Sequence, residues 1–189
     1  MMNILFLAPR LPLPADTGGK IRTLNILKQI AKFAQVHLVC FSFEAEDKQY
    51  ARELDNKGIS TTLVPLEEPR VIQKVFDVLL NPTPYSIGKY YSPEMLKVLI
   101  ETMALHKFDA VHVDHLHMAH YTSFNGIPML LDEHNVEYKI LERCAHVERS
   151  PVKRMIFTGQ SQRMKKFEGK HAARFTRCLT VSEDDRTFL

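Results

Sequence analysis

In the stretch Pro128-Met-Leu-Leu-Asp-Glu-His-Asn-Val-Glu137, a short apolar run of strand character, Met129 to Leu131, breaks off into Asp132, Glu133, His134, Asn135 and Glu137. Open α/β sheets place their chemistry where a buried parallel strand delivers polar groups at its carboxyl end. A helix start decorated with acids for its dipole accounts for Asp132 and Glu133. It leaves an imidazole and an amide in the same turn without a purpose, so the segment reads as a site.

Working outward, short apolar runs alternate with helical patterns along the whole chain, the βαβ rhythm of a parallel sheet. Strands are predicted from Asn3 to Ala8, Val36 to Phe41, Ile59 to Val64, Ala110 to Val113, Pro128 to Leu131 and Cys178 to Val181. Between them, Ile21, Leu24, Leu27, Ile30 and Ala31 share one face of a helix from about Lys20 to Phe33. A polar helix from Glu46 to Lys57 is closed by Gly58. A short amphipathic helix is predicted around Val71 to Leu79, then a loop from Asn81 to Ser86. Pro93 suits the first turn of a helix reaching His106, and two more helices cover Val136 to Val147 and Val152 to Ala173. The expected fold is α/β, a Rossmann-like doubly wound parallel sheet forming one domain over residues 1–189. A last helix, capped by Ser182 with Asp185 three residues on, is cut at Leu189 after about two turns. The chain is therefore expected to be either a fragment of something longer or a domain whose last helix is truncated.

All strands of such a sheet point the same way, so the loops that follow them share one edge. That edge collects Asp16, Thr17, Gly18 and Gly19 after strand one, Ser42 after strand two, and His112, Asp114 and His115 at strand four. Strand five adds His134, Asn135 and Glu137, and strand six adds Ser182 and Glu183. The opposite edge collects plain turns, Asn56-Lys57-Gly58 and Asn125-Gly126. Two glycines opening a helix let a ligand approach backbone N–H groups, with Lys20 and Arg22 adding charge in the first turns. The stretch is neither a Walker loop nor GxGxxG, which argues against a P-loop NTPase or an ordinary dinucleotide fold.

Five histidines fall between His106 and His120, yet no three ligands stand at a familiar spacing and HExxH is missing, so no metal is expected. From Val152 to Arg177, eight basic residues face one acid, Glu168. The plain reading is a helix with an inward apolar stripe and a solvated cationic face; the sharper one is contact with anionic lipid headgroups.

Composition bounds the rest. At 189 residues with 45% hydrophobic content, the chain suffices for one well-buried α/β domain. A net charge of +3 gives no case for nucleic acid as a partner. Three scattered cysteines without CxxC support neither a disulfide framework nor a zinc ribbon; Cys40 and Cys178 read as small buried hydrophobes. No stretch nears the ~20 apolar residues of a membrane span. A cytoplasmic protein is expected, with peripheral contact at the inner membrane face.

Taken together, Pro12-Leu-Pro-Ala-Asp-Thr-Gly-Gly-Lys-Ile-Arg-Thr-Leu-Asn25, Phe108-Asp-Ala-Val-His-Val-Asp114, Leu131-Asp-Glu-His-Asn-Val-Glu137 and Thr180-Val-Ser-Glu-Asp-Asp185 resemble the N-terminal domain of a GT-B fold, family 4 type glycosyltransferase. The similarity runs along essentially the whole chain, nearest the sugar transferases of bacterial exopolysaccharide systems. It implies a retaining, metal-independent transfer of a sugar from a nucleotide-sugar donor, which is a substrate and not a cofactor, to an acceptor glycan or glycolipid. It implies that Gly18 and Gly19 face the donor phosphates and that His134 contacts the transferred sugar. Glu137 and Asn135 would shape that pocket, Arg22 and Asp16 would meet acceptor or phosphate, and His112 and Asp114 would line the cleft. The family's second, donor-binding domain, with its paired glutamates, has no counterpart here, so this chain alone is expected to be inactive. A non-catalytic module or split subunit, docking on a separate donor-binding domain or a membrane surface, is the alternative; a nucleotide-sugar epimerase is a third.

Overall fold

The computed structural model describes residues 1–67, 70–122, 124 and 126–188; Asn125 and Leu189 lie outside them. Six parallel strands form one sheet: β1 (Met2–Ala8), β2 (Ala34–Ser42), β3 (Ile59–Pro65), β4 (Ala110–Asp114), β5 (Met129–Asp132) and β6 (Arg177–Leu179). Their order is β3-β2-β1-β4-β5-β6, the doubly wound arrangement of a Rossmann-like fold. The chain winds outward from β1 to β3, returns, and winds the other way from β4. Between β1 and β4 the connections diverge, leaving a crevice at the carboxyl ends of these two strands.

The period of two along each strand divides the core. Leu5 and Leu7 of β1, Val39 and Phe41 of β2, and Val111 and Val113 of β4 pack on one face with Leu131 of β5. That face is covered by α5 (Pro93–Leu105), through Met95 and Leu99, and by α7 (Pro151–Ala172), through Met164. Phe6 and Ala8 with Val36, Leu38 and Cys40 build the other face, under α1 (Gly18–Ile30) and α2 (Asp47–Asp55) through Leu24, Leu27 and Leu54. The same alternation aims His112 and Asp114 of β4, and Asp132 of β5, toward α1.

Helix starts follow their local chemistry. The Thr17 hydroxyl accepts from the Lys20 N–H at α1, and Ser92 caps α5 ahead of Pro93. Gly58, at φ +80°, closes the turn after α2, a conformation that strains any residue with a Cβ. At the last helix, α8 (Glu183–Phe188), the Ser182 hydroxyl accepts from the Asp185 N–H at 3.1 Å, as its spacing predicts.

The structure differs from expectation at several places, among them β6, which ends at Leu179 and not at Val181. Phe33 lies in the turn between α1 and β2, because the Lys32 and Phe33 N–H groups bond back three residues and tighten the helix end. The predicted loop after α3 (Val71–Leu79) contains a further turn of helix, α4 (Tyr85–Gly88). Cys178 is exposed, since β6 is a short edge strand whose three residues all face solvent. Among the described residues, no helix is long and apolar enough to cross a membrane.

Candidate functional site

The crevice between β1 and β4 holds a chain of polar contacts that starts on α1. The Thr23 hydroxyl sits 2.8 Å from Asp114 Oδ2 and 3.0 Å from the Gly19 carbonyl, sharing its one hydrogen between two acceptors. Asp114 Oδ1 lies 2.9 Å from His134 Nε2. A carboxylate accepts only, so in the neutral ring it fixes the hydrogen on Nε2 and leaves Nδ1 as a lone-pair acceptor. Nδ1 faces the first turn of α1: a Cβ built on Gly19 would stand 3.8 Å from it. Burial pulls the His134 pKa down, but the hydrogen bond and charge of Asp114 more than offset this, and the net shift is upward. These groups border an open cleft of about 470 Å³, whose walls include Arg10, Asp16, Thr17, Gly19, Lys20, His115 and His117.

The acidic turn after β5 is shared between the two faces of the sheet. Asp132 is fully buried and accepts from Arg22 Nη2 at 2.6 Å, tying β5 to α1. Glu133, one residue on, turns to the α7 side and lies against Glu168, which accepts from the Glu137 and Tyr138 N–H groups at 2.9 and 3.2 Å. Glu168 thus caps α6 (Glu137–Val147) from another helix, a role a sequence-local cap cannot fill because Val136 has no side-chain acceptor. Burial, then the neighbouring Glu168 charge, pushes the Glu133 carboxyl up to about 10.

A stability prediction follows from that shift. The folded chain keeps on Glu133 a proton that the unfolded chain releases near 4.5, so stability is lost as pH rises from about 4.5 toward 10. Glu133→Gln, which mimics the protonated acid, is expected to stabilise by about 2–4 kcal/mol at pH 8, or roughly 5–10 °C in Tm, and by under about 1 kcal/mol at pH 5. Thermal melts at the two pH values test this; an equal gain at both would show that protonation is not the cause.

His115 and His117, just beyond β4, bring their Nδ1 atoms to 2.7 Å, and Glu137 Oε1 lies 3.9 Å from His115 Nδ1. Burial, then His134, lowers His115 to about 4, and burial with His115 holds His117 well below its usual range, so both rings are neutral at pH 7. Burial, then Glu168, raises Glu137 to about 7, placing a titrating carboxyl at neutral pH beside the cleft.

Of the residues singled out in the sequence, Asp16, Gly19, Asp114 and His134 meet at the cleft. Asp16 stands at its exposed rim in an ion pair with Lys20 at 3.0 Å. Gly18 opens α1 with free space around its Cα, and Asn135 is exposed on the turn. His112 lies buried beneath the cleft, stacked on Phe6 at 4.3 Å, and does not line it. Arg22 is committed to Asp132 and is not a free phosphate ligand, because a buried carboxylate outcompetes the open cleft for its guanidinium. Glu137 stands behind His115. Thr23 and Glu168 belong to the site without a sequence expectation behind them; Glu168 carries a visible signal as the single acid in a basic helix, and Thr23 carries none. In α7, Arg163 leaves the predicted cationic face to donate to the Val78 and Leu79 carbonyls.

No protein-family model matches the chain, and no curated protein matches it.

Proposed function

We propose that this chain is the acceptor-side domain of a two-domain GT-B glycosyltransferase, which moves a sugar from a nucleotide-sugar donor to a saccharide or lipid-linked acceptor in bacterial polysaccharide assembly. The observation that carries the reading is the Asp114–His134 pair, which turns a lone-pair nitrogen toward a glycine-opened helix start at the switch point of the sheet. The first turn of α1 holds no acid, and Arg10 and Lys20 stand at the same cleft. A departing nucleoside diphosphate gathers negative charge, which helix-start N–H groups and cations stabilise without a metal. An imidazole held by a carboxylate orients a sugar hydroxyl and relays its proton near pH 7. The donor nucleotide belongs to a partner domain across the cleft.

Sugar-nucleotide turnover by this chain alone and by the longest natural reading frame containing it tests the proposal. Turnover is expected only from the longer form. Within that form, Gly19→Val, whose γ-methyls crowd His134, is expected to slow transfer at least about tenfold, while Gly19→Ala leaves it near normal at a 3.8 Å Cβ contact. Undiminished transfer by the valine variant removes the helix start from the mechanism.

One observation favours a second reading, a module that docks on a membrane. Helix α3 exposes Val71, Ile72, Val75, Phe76 and Leu79 together, an apolar face of the kind that settles into headgroups. Flotation with anionic liposomes at low and high salt separates membrane docking from transfer, since only the former needs no nucleotide sugar.

A further inference from the structure

His115, His117 and Glu137 form a second constellation at the cleft. We infer that these three side chains are a transition-metal site that takes Zn²⁺ or an ion of similar preference. Their ligand atoms all lie within 4.8 Å of one another. His115 Nδ1 is the point of convergence, 2.7 Å from His117 Nδ1 and 3.9 Å from Glu137 Oε1. Tetrahedral zinc, with bonds of about 2.0–2.2 Å, sets its ligands about 3.4 Å apart, so the His115–His117 separation opens by about 0.7 Å, the His115–Glu137 separation closes by about 0.5 Å, and His117 and Glu137, no more than 4.8 Å apart, draw in to the same spacing. Two neutral imidazoles facing each other need only one hydrogen between them, and the ion takes its place.

The backbone supports the same assignment. His115 sits at φ +79°, in the left-handed region that a residue with a Cβ occupies only where its surroundings hold it. At that position, just past the end of β4, its ring lies against that of His117 with centroids 4.3 Å apart. His115 and His117 both border the cleft, which leaves an open coordination position on the cleft side. Two imidazoles, one carboxylate and an open position suit zinc, copper or nickel and do not suit magnesium or calcium. The other convergent trio, His112, Asp114 and Asp132, is closed to a cation because Arg22 already sits on Asp132 and Thr23 and His134 on Asp114. The site stands apart from the sugar-transfer reading, and an ion bound there would engage Glu137 rather than supply the transfer chemistry.

Titration of the purified, metal-stripped chain with ZnCl₂ by calorimetry, and with CoCl₂ by visible absorption, tests the site. One ion per chain is expected, with tetrahedral cobalt bands lacking a thiolate charge-transfer band. His117→Gln and Glu137→Gln are each expected to weaken binding at least about tenfold. His146→Gln, an exposed histidine elsewhere, leaves it unchanged, and MgCl₂ does not compete. Circular dichroism verifies the fold of each variant, and the near-isosteric Glu137→Gln keeps the test valid where the histidine variant unfolds. Parent-like affinity in Glu137→Gln, a thiolate band from Cys144 or Cys178, or no zinc uptake overturns the assignment.

Discussion

His134→Ala, in the longest natural form of the chain, is expected on the proposed reading to lower kcat/KM for sugar transfer by about a hundred- to ten-thousand-fold with little change in stability. The ring is held by one hydrogen bond, from Nε2 to Asp114, and its Nδ1 side opens toward Gly19 and the cleft. Its removal therefore leaves Asp114 with the Thr23 hydroxyl as a remaining partner, and the fold keeps its shape. His134→Gln separates the two roles of the imidazole. A glutamine reaches Asp114 through its amide N–H₂ but relays no proton, so a rate near that of alanine identifies proton relay, and a rate near the parent identifies orientation. Asp114→Asn is expected to act on the same step from one residue further away: an amide no longer enforces the Nε2–H tautomer, and the pH dependence of kcat shifts downward as the raised pKa of His134 loses its support. Parent-like transfer by His134→Ala removes this residue from the chemistry and with it the proposal that the Asp114–His134 pair is the centre of the site.

The legible part of this molecule was the part written in local periodicity. Strand and helix positions, the glycine closing α2 and the Ser182 cap are contacts within a few residues, and hydrophobic alternation states them directly. The edge on which His134, Asp114 and Gly19 meet was readable as well, because a parallel sheet sends every strand end the same way. What stayed hidden depends on facing. Asp132 and Glu133 are neighbours in sequence, yet the pleat aims one at α1 and the other at α7, and only the partner helices reveal that one carboxyl is ion-paired and the other kept protonated. Thr23, in α1, and Asp114, at the end of β4, are 91 residues apart and meet only because β1 and β4 are adjacent. The histidines gave the same lesson. Their spacing fits no familiar ligand pattern, while the fold sets the helix that begins at Glu137 beside the end of β4 and brings the ligand atoms of His115, His117 and Glu137 within 4.8 Å of one another.

Arg22→Met is expected to destabilise the domain by about 2–4 kcal/mol at pH 7. Asp132 has no exposed surface, its Oδ1 accepts from Arg22 at 2.6 Å, and its Oδ2 has no hydrogen-bond partner among the described residues. Truncating the guanidinium strands a carboxylate in the protein interior, where the lost attraction is compounded by desolvation that nothing offsets. The figure lies at the lower side of values for buried pairs because about a third of the Arg22 side chain reaches solvent, which screens it. Arg22→Met combined with Asp132→Leu is expected to recover most of the loss, since a Met–Leu contact between α1 and β5 fills the same space without a charge. Urea midpoints for the parent, both single variants and the double variant give the coupling energy directly, and a double variant no more stable than Arg22→Met would mean the pair is not what binds β5 to α1. The pair also has a consequence for the site. Asp132 precedes His134 by two residues, so the tether that keeps β5 against α1 sets where the imidazole stands relative to Gly19. A modest fall in transfer rate, under about tenfold, is expected in the double variant even where stability returns, because apolar packing fixes that turn less sharply than a hydrogen-bonded ion pair.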